Sequence, residues 1–179
     1  PRLSSFERAA KTFASVSALM VDEQTPWPQR REELLDQIRG LPKPVAIFAL
    51  DDDAGAGVIE TCRSAGIAIP DEVAVLGVRN DELVCDALAV PLSSIENNLE
   101  ELGYQAAALL DRHLDGEPLP KSPIVIPPRG VVARQSTDVL AIAHPQVLRA
   151  MQFIRQNLRS PFAVADVVAA TTMSQRGLY

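Results

Sequence analysis

Two short and almost purely apolar runs most constrain the fold of this chain. Residues 45–50 read VAIFAL and residues 73–78 read VAVLGV, and both are too apolar for a strand with one face in water. Apolar residues recur at helical spacing over residues 53–65 between the runs, and Gly66 ends that pattern. Strand, helix and strand at this spacing predict an α/β fold with a parallel sheet covered on both faces.

The remaining elements follow from periodicity and from turn residues. Helices are predicted over residues 4–14, over 28–40 with Pro28 in the first turn and Gly40 at the end, and over 98–115. Short strands are predicted for IVIP at 124–127 and for GVVAR at 130–134. Further helices are predicted after residue 144.

Composition limits the class of protein. Of the 179 residues, 47% are hydrophobic and 22% charged, as in a folded cytoplasmic protein. Cys62 and Cys85 have no metal-ligand spacing and are expected to be reduced thiols. No apolar run is long enough to span a membrane. Residues 138–179 carry a net charge of +2 against −8 for residues 1–137, which fits a nucleic-acid-binding end on an acidic body.

Polar side chains follow both apolar runs. Three consecutive aspartates occupy residues 51–53, and RND occupies residues 79–81. Because ligands of open α/β sheets bind beyond the carboxyl ends of the strands, both groups are candidate site residues. The second or third aspartate is expected to cap the next helix. The positive charge of Arg79 disfavours a Mg²⁺ site, and a phosphoacceptor site would need a lysine nearer than Lys43.

Carboxylate, guanidinium and amide groups together suit a hydroxylated ligand, because carboxylates accept hydroxyl protons while the other two donate. The stretch from VAIFALDDDAG to LLDRHLDG resembles the lactose-repressor type of effector domain, which has the periplasmic sugar-binding-protein fold. The resemblance rests on a strand ending in aspartate, a later strand ending in Gly-x-x-Asn, and PLSSI before a long helix. Its matching positions are Asp52, Gly77, Asn80, Pro91, Leu92 and Gly103.

The resemblance narrows further along the chain. LPKPVAIFA, VAVLGVRNDE, PLSSI, GYQAA, PPRGVVARQSTD and FIRQNL resemble the xylose-regulator branch, in which the effector domain precedes an AraC-type helix-turn-helix domain. This likeness implies that residues 1–137 are part of a LacI-type effector domain, mainly its second lobe. It implies that residues 138–179 begin an all-α DNA-binding domain. It also implies a homodimer without cofactor, and that the chain is a piece of a longer protein.

The same resemblance implies an effector pocket and a DNA-reading helix. The pocket residues would be Asp51, Asp52, Arg79 and Asn80, and the effector a pentose-like sugar or sugar derivative. The family usually has an acidic residue at the position of Arg79. Arg79 would therefore pair with Asp52, accept a different ligand such as an acidic one, or point out of the pocket.

The AraC-type likeness makes residues 164–170 a support helix and places a recognition helix after it. The residues expected to face DNA are Ser174, Gln175 and Arg176, since glutamine and arginine suit adenine and guanine edges. The alternative is a plain helical bundle in which these side chains are solvated surface.

An α/β enzyme is the other open class. It would act on a sugar or phosphosugar through the aspartates at 51–53 and Arg79. The chain lacks the GxxxxGK phosphate loop and shows no Ser/His/Asp grouping, so the regulator is favoured.

Overall fold

The computed structural model describes residues 2–22, 24–139, 145–158 and 160–171. The chain forms two compact units, residues 1–139 and 140–179. The first unit contains α1 (Arg2–Ala10), α2 (Trp27–Gly40), β1 (Val45–Phe48), α3 (Asp52–Ser64), β2 (Val73–Val78), α4 (Glu82–Cys85), β3 (Ser93–Glu96), α5 (Leu99–Leu114), β4 (Gly130–Val132) and a 3₁₀ turn (Gln135–Thr137). The second contains α6 (Pro145–Asn157) and α7 (Val164–Ala170). No described helix combines the length and apolarity that crossing a bilayer requires.

The described strands form a mixed sheet in the order β1-β2-β3-β4. Strands β1, β2 and β3 run parallel, and β4 runs antiparallel to β3. The parallel register brings Phe48 opposite Leu76 and Val78 opposite Ile95. The carboxyl ends of β1 and β2 therefore lie at the same edge of the sheet, and β3 lies beside β2.

The core lies between this sheet and helices α2 and α3. Its buried side chains come from α2, α3, β2, α4 and the residue before β3, namely Leu34, Ile38, Val58, Ile59, Cys62, Val73, Val75, Cys85 and Leu92. Phe6 of α1 stacks on Phe48 of β1, with ring centroids 4.7 Å apart. Burial of aliphatic side chains at about 25 cal/mol per Å² supplies most of the stability of such a core.

Most predicted elements are confirmed, with several differences. Helix α1 spans Arg2–Ala10 instead of 4–14, and the short helix α4 was not predicted. Helix α3 begins at Asp52, one residue before the predicted start. The predicted strand at 124–127 is wrong: the segment forms no strand and lies against α5, and the prolines at 123, 127 and 128 lack the N–H that a ladder needs. Residues 93–96, which the sequence left without an element, form β3.

Helix α5 leaves much of its apolar face uncovered. It contains no buried residue, and Leu102 is 49% and Leu110 58% exposed. Together with the segment 119–126 it lines a groove of about 460 Å³. We refer to this feature as the α5 groove.

In the second unit, α6 packs against α7. Ala150 and Val167 are buried, and the rings of Phe153 and Phe162 meet edge to face at 5.8 Å. The carboxylate of Asp166 accepts a hydrogen bond from the N–H of Ala163 and so caps the start of α7. The helix predicted over 164–170 is thus confirmed, whereas Ser174, Gln175 and Arg176 lie outside the described residues.

Both cysteine thiols are buried and unpaired by disulfides, and they give the fold a pH dependence. Burial is the main reason that the pKa of Cys62 and of Cys85 is raised from 9.0 to about 11, and nearby Asp52 adds to the rise for Cys85. Folding favours the protonated thiols, so their contribution to stability is complete below pH 9 and is lost as the pH rises through 11.

We therefore expect the free energy of unfolding to fall between about pH 9 and pH 11. Urea unfolding at intervals across this range measures the fall. A C62A/C85A variant should show a shallower decline, because it lacks both buried thiols. Identical slopes for the two proteins would contradict the prediction.

Candidate functional site at the carboxyl ends of β1 and β2

Asp52 lies at the centre of this edge of the sheet and is fully buried. Its Oδ1 accepts a hydrogen bond from Ser94 Oγ at 2.5 Å, and its Oδ2 accepts one from the Asp81 N–H at 2.7 Å. It approaches the backbone so closely that a Cβ at Gly77 would overlap Asp52 Oδ1. Asp52 therefore ties α3 to β3 and to the turn after β2, and neither oxygen faces solvent.

The N-cap of α3 is Asp51, and not the second or third aspartate as the sequence predicted. Asp51 Oδ1 accepts a hydrogen bond from the Ala54 N–H at 2.9 Å, which requires the extended backbone that Asp51 has. Because the helix starts one residue earlier than predicted, Asp52 turns inward and Asp53 outward. About a third of the Asp51 side chain, 32%, remains exposed.

Arg79 pairs with Asp53, not with Asp52. Its Nη2 lies 2.8 Å from Asp53 Oδ2 and 3.9 Å from Asp51 Oδ2. All three side chains are accessible, with 43% of Arg79 and 73% of Asp53 exposed. We call Asp51, Asp53 and Arg79 the crest.

The turn after β2 has an unusual backbone. Arg79 has φ +116° and Asn80 φ +56°, conformations that side-chain-bearing residues rarely adopt. The turn is held by backbone donors: the Arg79 N–H bonds Ile95 O at 2.9 Å and the Asn80 N–H bonds Ser94 Oγ at 3.0 Å. Contacts with β3 thus fix the direction in which Arg79 leaves the sheet.

Arg134 is a residue of this region that the sequence analysis did not single out. It follows β4, and its guanidinium bonds Asp86 Oδ1 at 2.6 Å, Asn80 Oδ1 at 2.8 Å and Leu92 O at 3.0 Å. Only 12% of its side chain is exposed. The available signal is its place directly after an apolar strand, within the PPRGVVARQSTD motif.

The charge of the region is strongly acidic. The segments 51–53 and 79–81 carry four aspartates and one arginine, so the net charge is −3. Among the described residues, no cluster of three or more His, Cys, Asp or Glu side chains is arranged to hold a metal ion. Such a field disfavours an anionic ligand at this edge of the sheet.

A model of the periplasmic binding protein-like domain matches residues 1–137. The chain belongs to this family. The fold agrees with solved structures: a xylose-binding transcription activator, xylR, matches with a TM-score of 0.76 at 30% identity, over 99% of this chain and 47% of that one. A LacI family transcriptional regulator from Arthrobacter sp. FB24 in complex with lactose matches at 0.61 and 29% identity, over 73% and 48% of the two chains.

Curated relatives of this periplasmic binding protein-like chain include the xylose operon regulatory proteins of Haemophilus influenzae and Escherichia coli K12. Each is 34% identical over 152 residues, which cover 85% of this chain. The chain spans only 39% of the length of these relatives. The expected fold, a LacI-type parallel-sheet lobe of the periplasmic binding protein class, is therefore confirmed.

The strained turn supports a prediction that separates backbone from side chain. R79A and R79G both remove the ion pair with Asp53, but only glycine adopts φ +116° without strain. We expect the free energy of unfolding of R79G to exceed that of R79A by about 1 kcal/mol. This difference already includes the opposing effect of the greater entropy that glycine has in the unfolded chain. Urea denaturation of the pair measures the difference, and equal stabilities would show that the strain at Arg79 does not exceed the entropy cost of glycine.

Proposed function

We propose that this chain is the effector-sensing part of a transcription regulator and binds a neutral, pentose-like sugar at the crest. The observation that carries the proposal is the grouping of two accessible carboxylates and one guanidinium, Asp51, Asp53 and Arg79, at the carboxyl ends of neighbouring parallel strands. Carboxylates accept bonds from sugar hydroxyls, and the guanidinium donates to hydroxyl or ring oxygens. Ligands of open α/β sheets bind at such an edge.

The roles within the site differ from residue to residue. Asp51 and Arg79 would contact the sugar directly, with Asp53 neutralising Arg79. Asp52 would support the site without contacting the sugar, because its oxygens are already bonded to Ser94 Oγ and to the Asp81 N–H. Asn80 would contribute its side-chain amide.

The relatives support the regulatory class. The two xylose operon regulatory proteins are 34% identical to this chain, and the structural neighbours at 30% and 29% identity are a xylose-binding activator and a lactose-bound LacI family regulator. In the complete protein, residues 138–179 would begin an AraC-type DNA-binding domain with α7 as support helix. Ser174, Gln175 and Arg176 would face the major groove of DNA, and the protein would act as a cytoplasmic homodimer.

An enzyme is not favoured by the geometry. Asp52, the buried carboxylate, accepts two internal hydrogen bonds and is closed to a substrate. His113 lies on α5, where its ring bonds Glu117 O at 3.0 Å. The reported relatives are regulators by name.

A thermal-shift series on the complete protein tests the proposal. D-xylose and other neutral pentoses should raise the melting temperature in proportion to the logarithm of their concentration, because they bind only the folded state. D-xylonate should shift it less, owing to the negative charge of the crest. Shifts with the sugar acid alone, or turnover of any sugar, would refute the proposed ligand class or the regulatory role.

DNA binding needs a second measurement. The complete protein should bind the DNA upstream of its own gene with an affinity that falls as salt rises, since lysine and arginine contacts to phosphate release counterions. Fluorescence anisotropy with a labelled duplex at several salt concentrations measures this. Binding unchanged by an added sugar that raises the melting temperature would contradict effector control.

A further inference from the structure

Asn80 is held by Arg134 in a way that leaves only one of its amide groups available. Arg134 Nη1 lies 2.8 Å from Asn80 Oδ1, and because a guanidinium has no acceptor, the Asn80 atom facing it must be the carbonyl oxygen. The Asn80 backbone N–H is bonded to Ser94 Oγ. Among the described residues, Asn80 Nδ2 makes no hydrogen bond.

Arg134 is itself fixed at both ends. Its backbone N–H bonds Ser93 Oγ at 2.7 Å, and its carbonyl lies 3.0 Å from the same hydroxyl. Its guanidinium is bonded to Asp86 Oδ1 and to Leu92 O as well as to Asn80. A side chain 12% exposed with three different acceptors has one orientation, so the Asn80 amide facing it has one orientation too.

We propose that Arg134 is a positioning residue of the effector site, which fixes the Asn80 carboxamide so that Nδ2 is offered to the ligand as a donor. The inference rests on the proposed function for its ligand, a neutral sugar. Asn80 then recognises a sugar oxygen that accepts a hydrogen bond. Without Arg134 the carboxamide can rotate and present either its donor or its acceptor.

The orientation can be tested without any ligand. In the complete protein, nitrogen-15 relaxation of the Asn80 side-chain amide reports its motion on the picosecond to nanosecond scale. We expect a rigid amide in the wild type and an order parameter below about 0.6 in R134M. The matched control is R129M, which removes an exposed arginine bonded to Asn98, Glu96 and Glu100 and should leave the Asn80 amide unchanged.

The effect on recognition is tested with D-xylose as the probe, by calorimetric titration of the complete protein. R134M should weaken binding about tenfold, and R129M should not. N80G removes the carboxamide while glycine accommodates φ +56°, so the loss caused by R134M should vanish when it is combined with N80G. R134K has a single ammonium in place of the planar guanidinium, so its affinity for D-xylose should lie between those of the wild type and R134M. It replaces R134M in these measurements if R134M does not fold.

The possible outcomes separate the inference from the proposed function. A rigid Asn80 amide in R134M, or an equal loss of affinity with and without the Asn80 side chain, would overturn the positioning role. A wild-type protein that binds no neutral sugar would overturn the proposed ligand, while the relaxation measurement would still decide whether Arg134 fixes Asn80.

Discussion

Replacing Asp52 with alanine is expected to lower the free energy of unfolding by about 3 kcal/mol. The carboxylate is fully buried and accepts hydrogen bonds from Ser94 Oγ and the Asp81 N–H. Hydrogen bonds to charged groups contribute about 1.5–3 kcal/mol each, and the buried hydroxyl of Ser94 would lose its acceptor. Urea denaturation of the wild type and D52A measures the change.

The matched control for D52A is the next residue along the chain. Asp53 is 73% exposed and pairs with Arg79 at the surface, so D53A should cost less than about 1 kcal/mol. The loss of stability caused by D52N should lie between the losses caused by D52A and D53A. The carbonyl oxygen of the new asparagine keeps one of the two hydrogen bonds, while its NH₂ group faces a donor or a hydroxyl. A cost for D52A no greater than that for D53A would show that Asp52 does not hold the strand ends together.

Gly77→Ala is the second change with a large expected effect. A Cβ at this position would overlap Asp52 Oδ1 and lie 3.0 Å from Leu92 Cδ2. Overpacking a site of this kind costs about 1–3 kcal/mol, and displacement of Asp52 would weaken its two hydrogen bonds as well. We expect a loss of about 3 kcal/mol, measured by thermal or urea unfolding.

Two further variants make the Gly77 prediction specific. A Cβ at Gly103, inside α5, would have no atom within 4 Å, so G103A should stabilise the protein by up to about 1 kcal/mol. In the D52A background the clash with the carboxylate is gone, and G77A should cost much less than in the wild type. Additive losses for G77A and D52A would mean that the two residues do not interact.

An element of the fold could be predicted from the sequence where apolar patterning determines that element. Strands β1 and β2 were predictable because their residues are continuously apolar, and this also placed the polar groups at their ends. Strand β3 was not, because its sequence SSIE reads as polar. Its two serines are buried, and their polar groups are hydrogen-bonded to residues distant in the sequence. Ser94 bonds Asp52, and Ser93 bonds Arg134 and Ser136.

The candidate site was predictable as a region but not in its details. Three identical aspartates in a row give no local signal for which one faces inward, and a helix start shifted by one residue rotates the side chains by about 100°. The same shift explains why Arg79 pairs with the outward-facing Asp53 and not with Asp52. The contact between Arg134 and Asn80 joins residues 54 positions apart and depends on the antiparallel pairing of β4 with β3, which apolar patterning did not reveal.

The most direct test of the sugar-sensing site is a nitrogen-15 chemical-shift titration of the complete protein with D-xylose. We predict that the backbone amides of Asp53, Arg79 and Asn80 shift the most, with saturation at one sugar per chain. Amides along the α5 groove should move little. Saturable shifts centred on Leu102 and Leu109 of that groove, with the crest unchanged, would contradict the account.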